Sequence, residues 1–266
     1  PTSSIQSLRS ILCVVGARPN FMKMAPIMAA LAALQPKVNV CLVHTGQHYD
    51  VAMNHQYFEA LGIPDPDINL EVGSGSHAAQ TAEVMRRFEP ALDEQKPSAV
   101  LVVGDVNSTL ACALVATKKG IPVIHVEAGL RSFDRAMPEE INRILTDQIS
   151  DILFTTERSG LDNLVREGID GARVRFVGNV MIDSLLSHRA SAIPAAKTLA
   201  AAPDPGVFLR APHGFGVVTM HRPSNVDDPQ QLRSLLSALQ RISAQLPLIF
   251  PVHPRTLNRI LAAGLG

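Results

Sequence analysis

Short, continuously apolar runs alternate along this chain with longer segments whose apolar residues recur at helical spacing. Runs of the first kind fall at Ser10 to Val15, Val38 to Val43, Ala99 to Val103, Ile121 to Val126, Ile152 to Thr155 and Val174 to Val177. Each predicts a strand buried on both faces. Segments of the second kind predict helices at Phe21 to about Leu34, Val51 to Leu61, Ser76 to Glu94, Asn107 to Lys119, Pro138 to Ser150, Leu161 to Glu167 and Asn179 to Arg189. Between the second and third of these helices, residues 62–75 read as an excursion rich in Pro, Asp and Gly. Buried strands separated by helices imply a doubly wound α/β domain with a parallel sheet, assigned to residues 1–190.

The pattern then changes. Residues 191–213 are rich in Ala, Pro and Gly with little periodicity and read as a linker. A second alternating unit occupies residues 214–266, with strands at Gly216 to Thr219 and Leu248 to Val252 and helices at about Asp228 to Ala244 and Arg255 to Ala263. Two strands and two helices make about half of a nucleotide-binding domain, so the second domain is expected to be incomplete and the chain to lack a C-terminal portion.

Composition narrows the function classes. Hydrophobic residues make up 46% of the 266 and charged residues 18%, enough apolar material for a core. The formal net charge is zero, which excludes a general nucleic-acid or membrane-surface binder, and Trp is absent. No apolar run reaches the length of a membrane span, and the first ten residues lack a signal-peptide core. Pro1 is not an initiator methionine, which reads as a processed, trimmed or engineered start. Cys13, Cys41 and Cys112 lie in apolar segments without metal-ligand spacing and read as buried, reduced thiols of a cytoplasmic protein.

Candidate chemistry gathers where strands end, the ligand-binding edge of an open α/β sheet. Gly16-Ala-Arg-Pro-Asn20 joins the first strand to a helix N-terminus, with Arg18 and Lys23 as cations suited to a phosphate. It is not GxGxxG, so no dinucleotide cofactor is indicated. After the second strand, His44 and His48 could suggest a metal with Asp50 or His55, but the loop lacks a convincing third ligand and polar contacts are the favoured reading. Asp105 follows the strand ending at Val103; it reads either as part of a helix-capping loop with Asn107 and Ser108 or as a carboxylate aimed at a ligand. Glu127 and Arg131 follow the next strand, and Glu139, Glu140, Asn142 and Arg143 open the helix beyond. These charges are expected to form one cluster, though Glu139 and Glu140 also suit a helix dipole. His221 beside Arg222, and His253 near Arg255, end the two strands of the second unit, on the side expected to face the first domain.

Together these motifs resemble the non-hydrolysing UDP-N-acetylglucosamine 2-epimerases. The resemblance is carried by Gly-Ala-Arg-Pro with Lys23, Gly-Asp-Val-Asn-Ser-Thr109, His-Val-Glu-Ala-Gly-Leu-Arg131, Pro-Glu-Glu-Ile-Asn-Arg143, Val-Gly-Asn-Val-Met-Ile-Asp183 and Thr-Met-His-Arg-Pro-Ser-Asn225, in the family's order. It implies two Rossmann-like domains in the GT-B arrangement, with a UDP-sugar bound between them. It also implies an isomerase that needs no cofactor or metal: UDP is eliminated to an enzyme-bound glycal and added back with the C2 proton delivered from the other face. Asp105, Glu127 and Glu139 match the catalytic carboxylates and His221 the catalytic histidine. Arg18, Lys23 and Arg143 match residues around substrate and diphosphate, and His253 is placed with them as a substrate contact. A homodimer supplying surface polysaccharide synthesis is also implied.

The sequence departs from the family after His221, where Arg222-Pro-Ser-Asn replaces a second arginine followed by an acidic residue; this points toward another UDP-2-acetamido sugar. The family's later Ser-Gly-Gly and Glu-bearing motif is absent from these residues, so residues 1–266 alone are expected to be inactive. The alternatives are a GT-B glycosyltransferase and a hydrolysing epimerase.

Overall fold

The structure is a computed structural model and describes residues 9–34, 37–46, 58–200 and 204–265. The chain divides into two compact units, Pro1–Ala190 and Ser191–Gly266. The first contains β1 (Ser10–Val15), α1 (Arg18–Ala33), β2 (Asn39–His44), β3 (Ile68–Asn69), α2 (His77–Gln95), β4 (Ala99–Val103) and α3 (Asn107–Lys118). It continues with β5 (Val123–Ala128), α4 (Pro138–Ile149), β6 (Ile152–Thr155), α5 (Arg158–Arg166), β7 (Val174–Phe176) and α6 (Val180–His188).

All pairings in its seven-stranded sheet are parallel, in the order β3-β2-β1-β4-β5-β6-β7. Side chains alternate across a strand, and the two halves of each apolar run therefore serve different layers. Leu12 and Val14 of β1, with Val100 and Val102 of β4, meet Val84, Phe88 and Leu92 of α2 and Ala111 and Cys112 of α3. Ile11, Cys13 and Val15, with Leu101 and Val103, join Phe21 and Met24 of α1. Both faces are thus sealed by apolar helix faces, which is why these strands carry no polar alternation. Chain direction across the sheet reverses between β1 and β4, so the carboxyl ends of those two strands flank the topological switch point.

Several boundaries differ from expectation. Helix α1 begins at Arg18 rather than Phe21, because Pro19 suits a first helical turn, where its missing N–H costs nothing. Strand β3 lies inside the expected excursion; the carboxylate of Asp67 just before it accepts the Leu42 N–H at 2.7 Å and anchors the segment to β2. Most of the helix expected at Val51 to Leu61 falls outside the described residues, and residues 58–61 are helical. Strand β5 starts at Val123 and runs on through Glu127 to Ala128. Cys13 and Cys112 are buried as expected, but Cys41 is only part-buried. Burial pushes the Cys13 thiol up to about 12 and that of Cys41 to about 11, and raises Cys112 well above its ordinary value.

The second unit has β8 (Gly216–Val217) paired in parallel with β9 (Leu248–Ile249). Around them lie α7 (Ala195–Leu199), α8 (Pro205–Leu209), α9 (Pro223–Val226), α10 (Pro229–Ser243) and α11 (Pro254–Ala262). The expected linker thus holds two short helices, and both strands are shorter than their apolar runs. Met220, Val226, Leu232 and Ile260 form the small buried core of this unit. Among the described residues, no helix is long and apolar enough to cross a membrane.

Candidate active site

Three strand ends of the first unit converge on Gly104. At the start of α1, the Ala17 N–H donates to Asn20 Oδ1 at 3.0 Å, and Asn20 Nδ2 donates to the Val103 carbonyl at 2.8 Å. That buried amide ties the helix after β1 to the end of β4. One turn on, Lys23 is buried and its ammonium pairs with the Glu127 carboxylate. Gly104 lies against this pair with φ +68°, where a Cβ would sit 2.9 Å from Lys23 Nζ and 3.9 Å from Glu127 Oε2. A side chain at position 104 would have to shift the flexible end of Lys23, and the left-handed backbone is what favours glycine there.

Glu127 has its own backbone signature. The β5–β6 register slips between Val126 and Ala128, leaving Glu127 as the extra residue of a bulge with φ +74°. A left-handed glutamate costs about 1–2 kcal/mol relative to the usual region. Such strain persists where surrounding contacts over-determine it, and it aims this side chain at Lys23.

A second ion-pair group forms around Arg143. Its Nε donates to Asp105 Oδ2 at 2.9 Å, with Nη2 2.8 Å from the same oxygen, and Nη1 donates to Glu140 Oε2 at 2.5 Å. Glu140 is buried and accepts the Ser132 and Phe133 N–H groups, each at 2.9 Å. Burial pushes its carboxyl up, but those two N–H donors, the Ser132 side chain and Arg143 together hold it below the ordinary glutamate value. Asn142 Nδ2 donates to the Asp105 carbonyl at 2.9 Å and so fixes the backbone of the other carboxylate. Glu139 is half-buried, and its side chain has no hydrogen bond or ion pair among the described residues.

The single cluster expected around Glu127 and Arg131 is therefore split. Arg131 pairs with Asp147 at 2.7 Å and forks onto Glu167, with Nε–Oε1 2.7 Å and Nη2–Oε2 2.6 Å. Burial weakens its charge, yet Glu167 and Asp147 outweigh that and raise its affinity for the proton. Asp147 also meets His125, and neither residue was legible as a site from sequence. The chain separates them by several helical and loop turns, and a lone histidine in an apolar strand gives no signal.

Arg18 is exposed at the first position of α1, the helix that also carries Lys23. In the second unit His221 and His253 are both exposed, with ring centroids 5.8 Å apart. His253 caps α11 by accepting the Arg255 N–H at 3.2 Å. Arg255 and Arg259 both engage Asp227, so the guanidinium expected to work beside His253 is committed to that carboxylate. His44 is buried against Phe21 and Phe58, with ring centroids 5.6 and 6.1 Å away. His48, Asp50 and His55 lie outside the described residues; among those described, no three His, Cys, Asp or Glu groups could hold a metal.

A parallel sheet of this strand order, with carboxylates and cations at the strand ends beside the switch point, defines a doubly wound α/β protein whose charged groups gather at the edge where such sheets bind ligands. The family model described as UDP-N-acetylglucosamine 2-epimerase matches residues 31–265. The UDP-2,3-diacetamido-2,3-dideoxy-D-glucuronate 2-epimerase of Pseudomonas aeruginosa is 44% identical over 260 residues, covering 96% of this chain and 70% of that protein. The UDP-N-acetylglucosamine 2-epimerase of Methanocaldococcus jannaschii is 40% identical over 253 residues, covering 93% of this chain and 66% of that protein. A crystal structure of the Methanocaldococcus jannaschii UDP-GlcNAc 2-epimerase, in complex with UDP-GlcNAc and UDP, is similar with a TM-score of 0.81 and 38% identity, covering 96% of this chain and 69% of that one. The chain belongs to the UDP-N-acetylglucosamine 2-epimerase family.

Proposed function

We propose that this chain carries the proton-transfer machinery of a UDP-sugar 2-epimerase that inverts C2 of a 2-acetamido sugar without consuming it. The observation that supports this most is the pairing of Glu127 with Lys23 and of Asp105 with Arg143, side by side at the ends of β5 and β4. Both carboxylates are part-exposed, as groups that must reach a substrate need to be. The C2 proton of such a sugar is unactivated, so its removal needs a positioned base, while departure of UDP needs cations on the developing diphosphate charge.

In the proposed reaction a carboxylate takes the C2 proton. The C–H electrons become the C1–C2 double bond, and the C1–O bond to UDP breaks. UDP then adds back to C1 of the glycal while a carboxylic acid delivers a proton to C2 from the opposite face. Asp105, Glu127 and Glu139 are the candidates for these transfers, and His221 of the second unit is a further candidate for the chemistry. Arg18, Lys23, Arg143 and His253 are the candidates for holding substrate and diphosphate. The same reading carries two Rossmann-like domains, a cytoplasmic homodimer and a role in polysaccharide synthesis. No activity is expected of residues 1–266 alone, since the curated relatives named above are longer than the matched region.

Two substrates are in view. UDP-N-acetylglucosamine follows from the family, and UDP-2,3-diacetamido-2,3-dideoxy-D-glucuronate from the Pseudomonas relative. Incubating each with the chain carried to the length of its relatives should give the C2 epimer, with UDP still attached. Release of UDP with free sugar would make the protein a hydrolysing epimerase. Turnover that depends on an added acceptor would make it a glycosyltransferase.

A further inference from the structure

The bond network behind the two ion pairs does more than fill space. His125 in β5 and Asp147 in the last turn of α4 are both completely buried. His125 Nε2 lies 2.8 Å from the Gly104 carbonyl, which can only accept, so Nε2 carries a hydrogen and donates it. Nδ1 lies 2.7 Å from Asp147 Oδ1, and those two atoms share a proton. The other carboxylate oxygen, Asp147 Oδ2, accepts the Gly129 N–H at 3.1 Å and meets Arg131 at 2.7 Å.

We propose that His125 and Asp147 are positioning residues that hold the three candidate carboxylates in register with one another. The proposal rests on the proton-transfer reading of Asp105, Glu127 and Glu139. Each of its bonds ends on a segment that carries one of them. Gly104 immediately precedes Asp105, Gly129 follows the Glu127 bulge, and Asp147 shares α4 with Glu139 and Arg143.

Stability alone does not account for the pair. The neighbours of His125 in β5 are Val123, Ile124 and Val126, and an aliphatic residue at 125 would continue the core without any buried charge. Buried ionic pairs often contribute little net stability compared with well-packed apolar residues, because desolvation offsets their attraction. What this pair does supply is fixed geometry. The bulge at Glu127 is held from both sides, by the Gly104 N–H on the Val126 carbonyl at 3.0 Å and by Asp147 on Gly129. Gly104 also lies close against the Lys23 ammonium, so a shift of its peptide moves the Lys23–Glu127 pair with it.

The test uses Asp147→Asn, which keeps the shape but removes the negative charge that meets Arg131 and the proton on His125 Nδ1, together with His125→Gln and His125→Leu. With UDP-N-acetylglucosamine and the chain carried to the length of its relatives, kcat per UDP-binding site should fall by about 10²-fold in Asp147→Asn, the scale of a misplaced reacting group. KM should change much less than kcat, since the network sets the placement of the carboxylates more than the charge of the cations that hold substrate. His125→Gln, which can still donate to the Gly104 carbonyl, should retain more activity than His125→Leu. In parallel, side-chain carboxyl NMR signals of Asp105 and Glu127 should move in all three variants, a readout that needs no turnover. Unmoved carboxyl signals, or unchanged kcat per site beside lowered stability, would overturn the positioning role. If the signals move but wild-type protein exchanges no C2 proton, the network stands and the proton-transfer reading fails instead.

Discussion

Replacing Glu127 by Gln separates the chemistry of this carboxylate from its structural duties. The substitution keeps the side-chain shape and the left-handed backbone, and it removes one charge beside the Lys23 ammonium. The Lys23 side chain is 10% exposed and that of Glu127 21%. Removing one partner of a fully buried pair costs about 3–5 kcal/mol. Here solvent reaches the carboxylate and the amide oxygen can still accept from Lys23, so the loss in folding stability should be nearer ~1–2 kcal/mol. The effect on turnover should be larger. Loss of a general acid or base costs typically ~10²–10⁴ in rate, equivalent to about 3–5 kcal/mol in the barrier. Urea unfolding measures the first quantity, and kcat for epimerisation, measured well below the unfolding midpoint, measures the second. A variant that keeps kcat within a few-fold of wild type, whatever its stability, would show that Glu127 serves only the ion pair.

Other outcomes follow from the same contacts. Gly129→Ala puts a methyl 2.4 Å from the Gly160 carbonyl oxygen at φ +79°, and should destabilise the first unit by at least ~2–3 kcal/mol in denaturant melts; a neutral result would refute the close approach. The Glu140 carboxyl is held below its ordinary value in the folded chain, so the unfolded chain binds the proton more readily. Its contribution is present above the ordinary glutamate value of about 4.3 and is lost as pH falls through the depressed folded value. Stability-versus-pH curves should show this acid loss in wild type and a flatter acid limb in Glu140→Gln. Arg18→Lys keeps the charge but not the planar fork, and should raise the barrier by ~1–3 kcal/mol; wild-type kinetics would leave Arg18 a surface residue.

The strands were legible because each is an apolar run whose alternate residues feed two separate core layers, as Ile11 and Leu12 do on opposite faces of β1. Strand β3 was not, since Ile68–Asn69 is too short to carry a pattern and is anchored by a side-chain carboxylate outside it. The start of α1 was misplaced because Arg18-Pro19 reads as a turn until the first helical turn is seen to tolerate the proline. The candidate carboxylates were visible as charges following apolar strands. Their partners were only partly so. Arg131, two residues after Gly129, is as close to Glu127 in sequence as any cation, yet the strand end turns it toward Asp147 and Glu167. The bulge at Glu127 carries no sequence signal, because a glycine would have announced a left-handed residue and a glutamate does not.

The most direct test of the account is solvent-hydrogen exchange at C2. The chain carried to the length of its relatives would be incubated with UDP-N-acetylglucosamine in deuterated water, and the recovered UDP-sugars examined by NMR. If carboxylates at the ends of β4 and β5 transfer the C2 proton, deuterium should appear at C2 as the epimer forms, with the exchange greatly slowed in Glu127→Gln. Recovery of an inverted sugar that has kept its original C2 hydrogen, or of substrate with neither inversion nor deuterium, would contradict that claim.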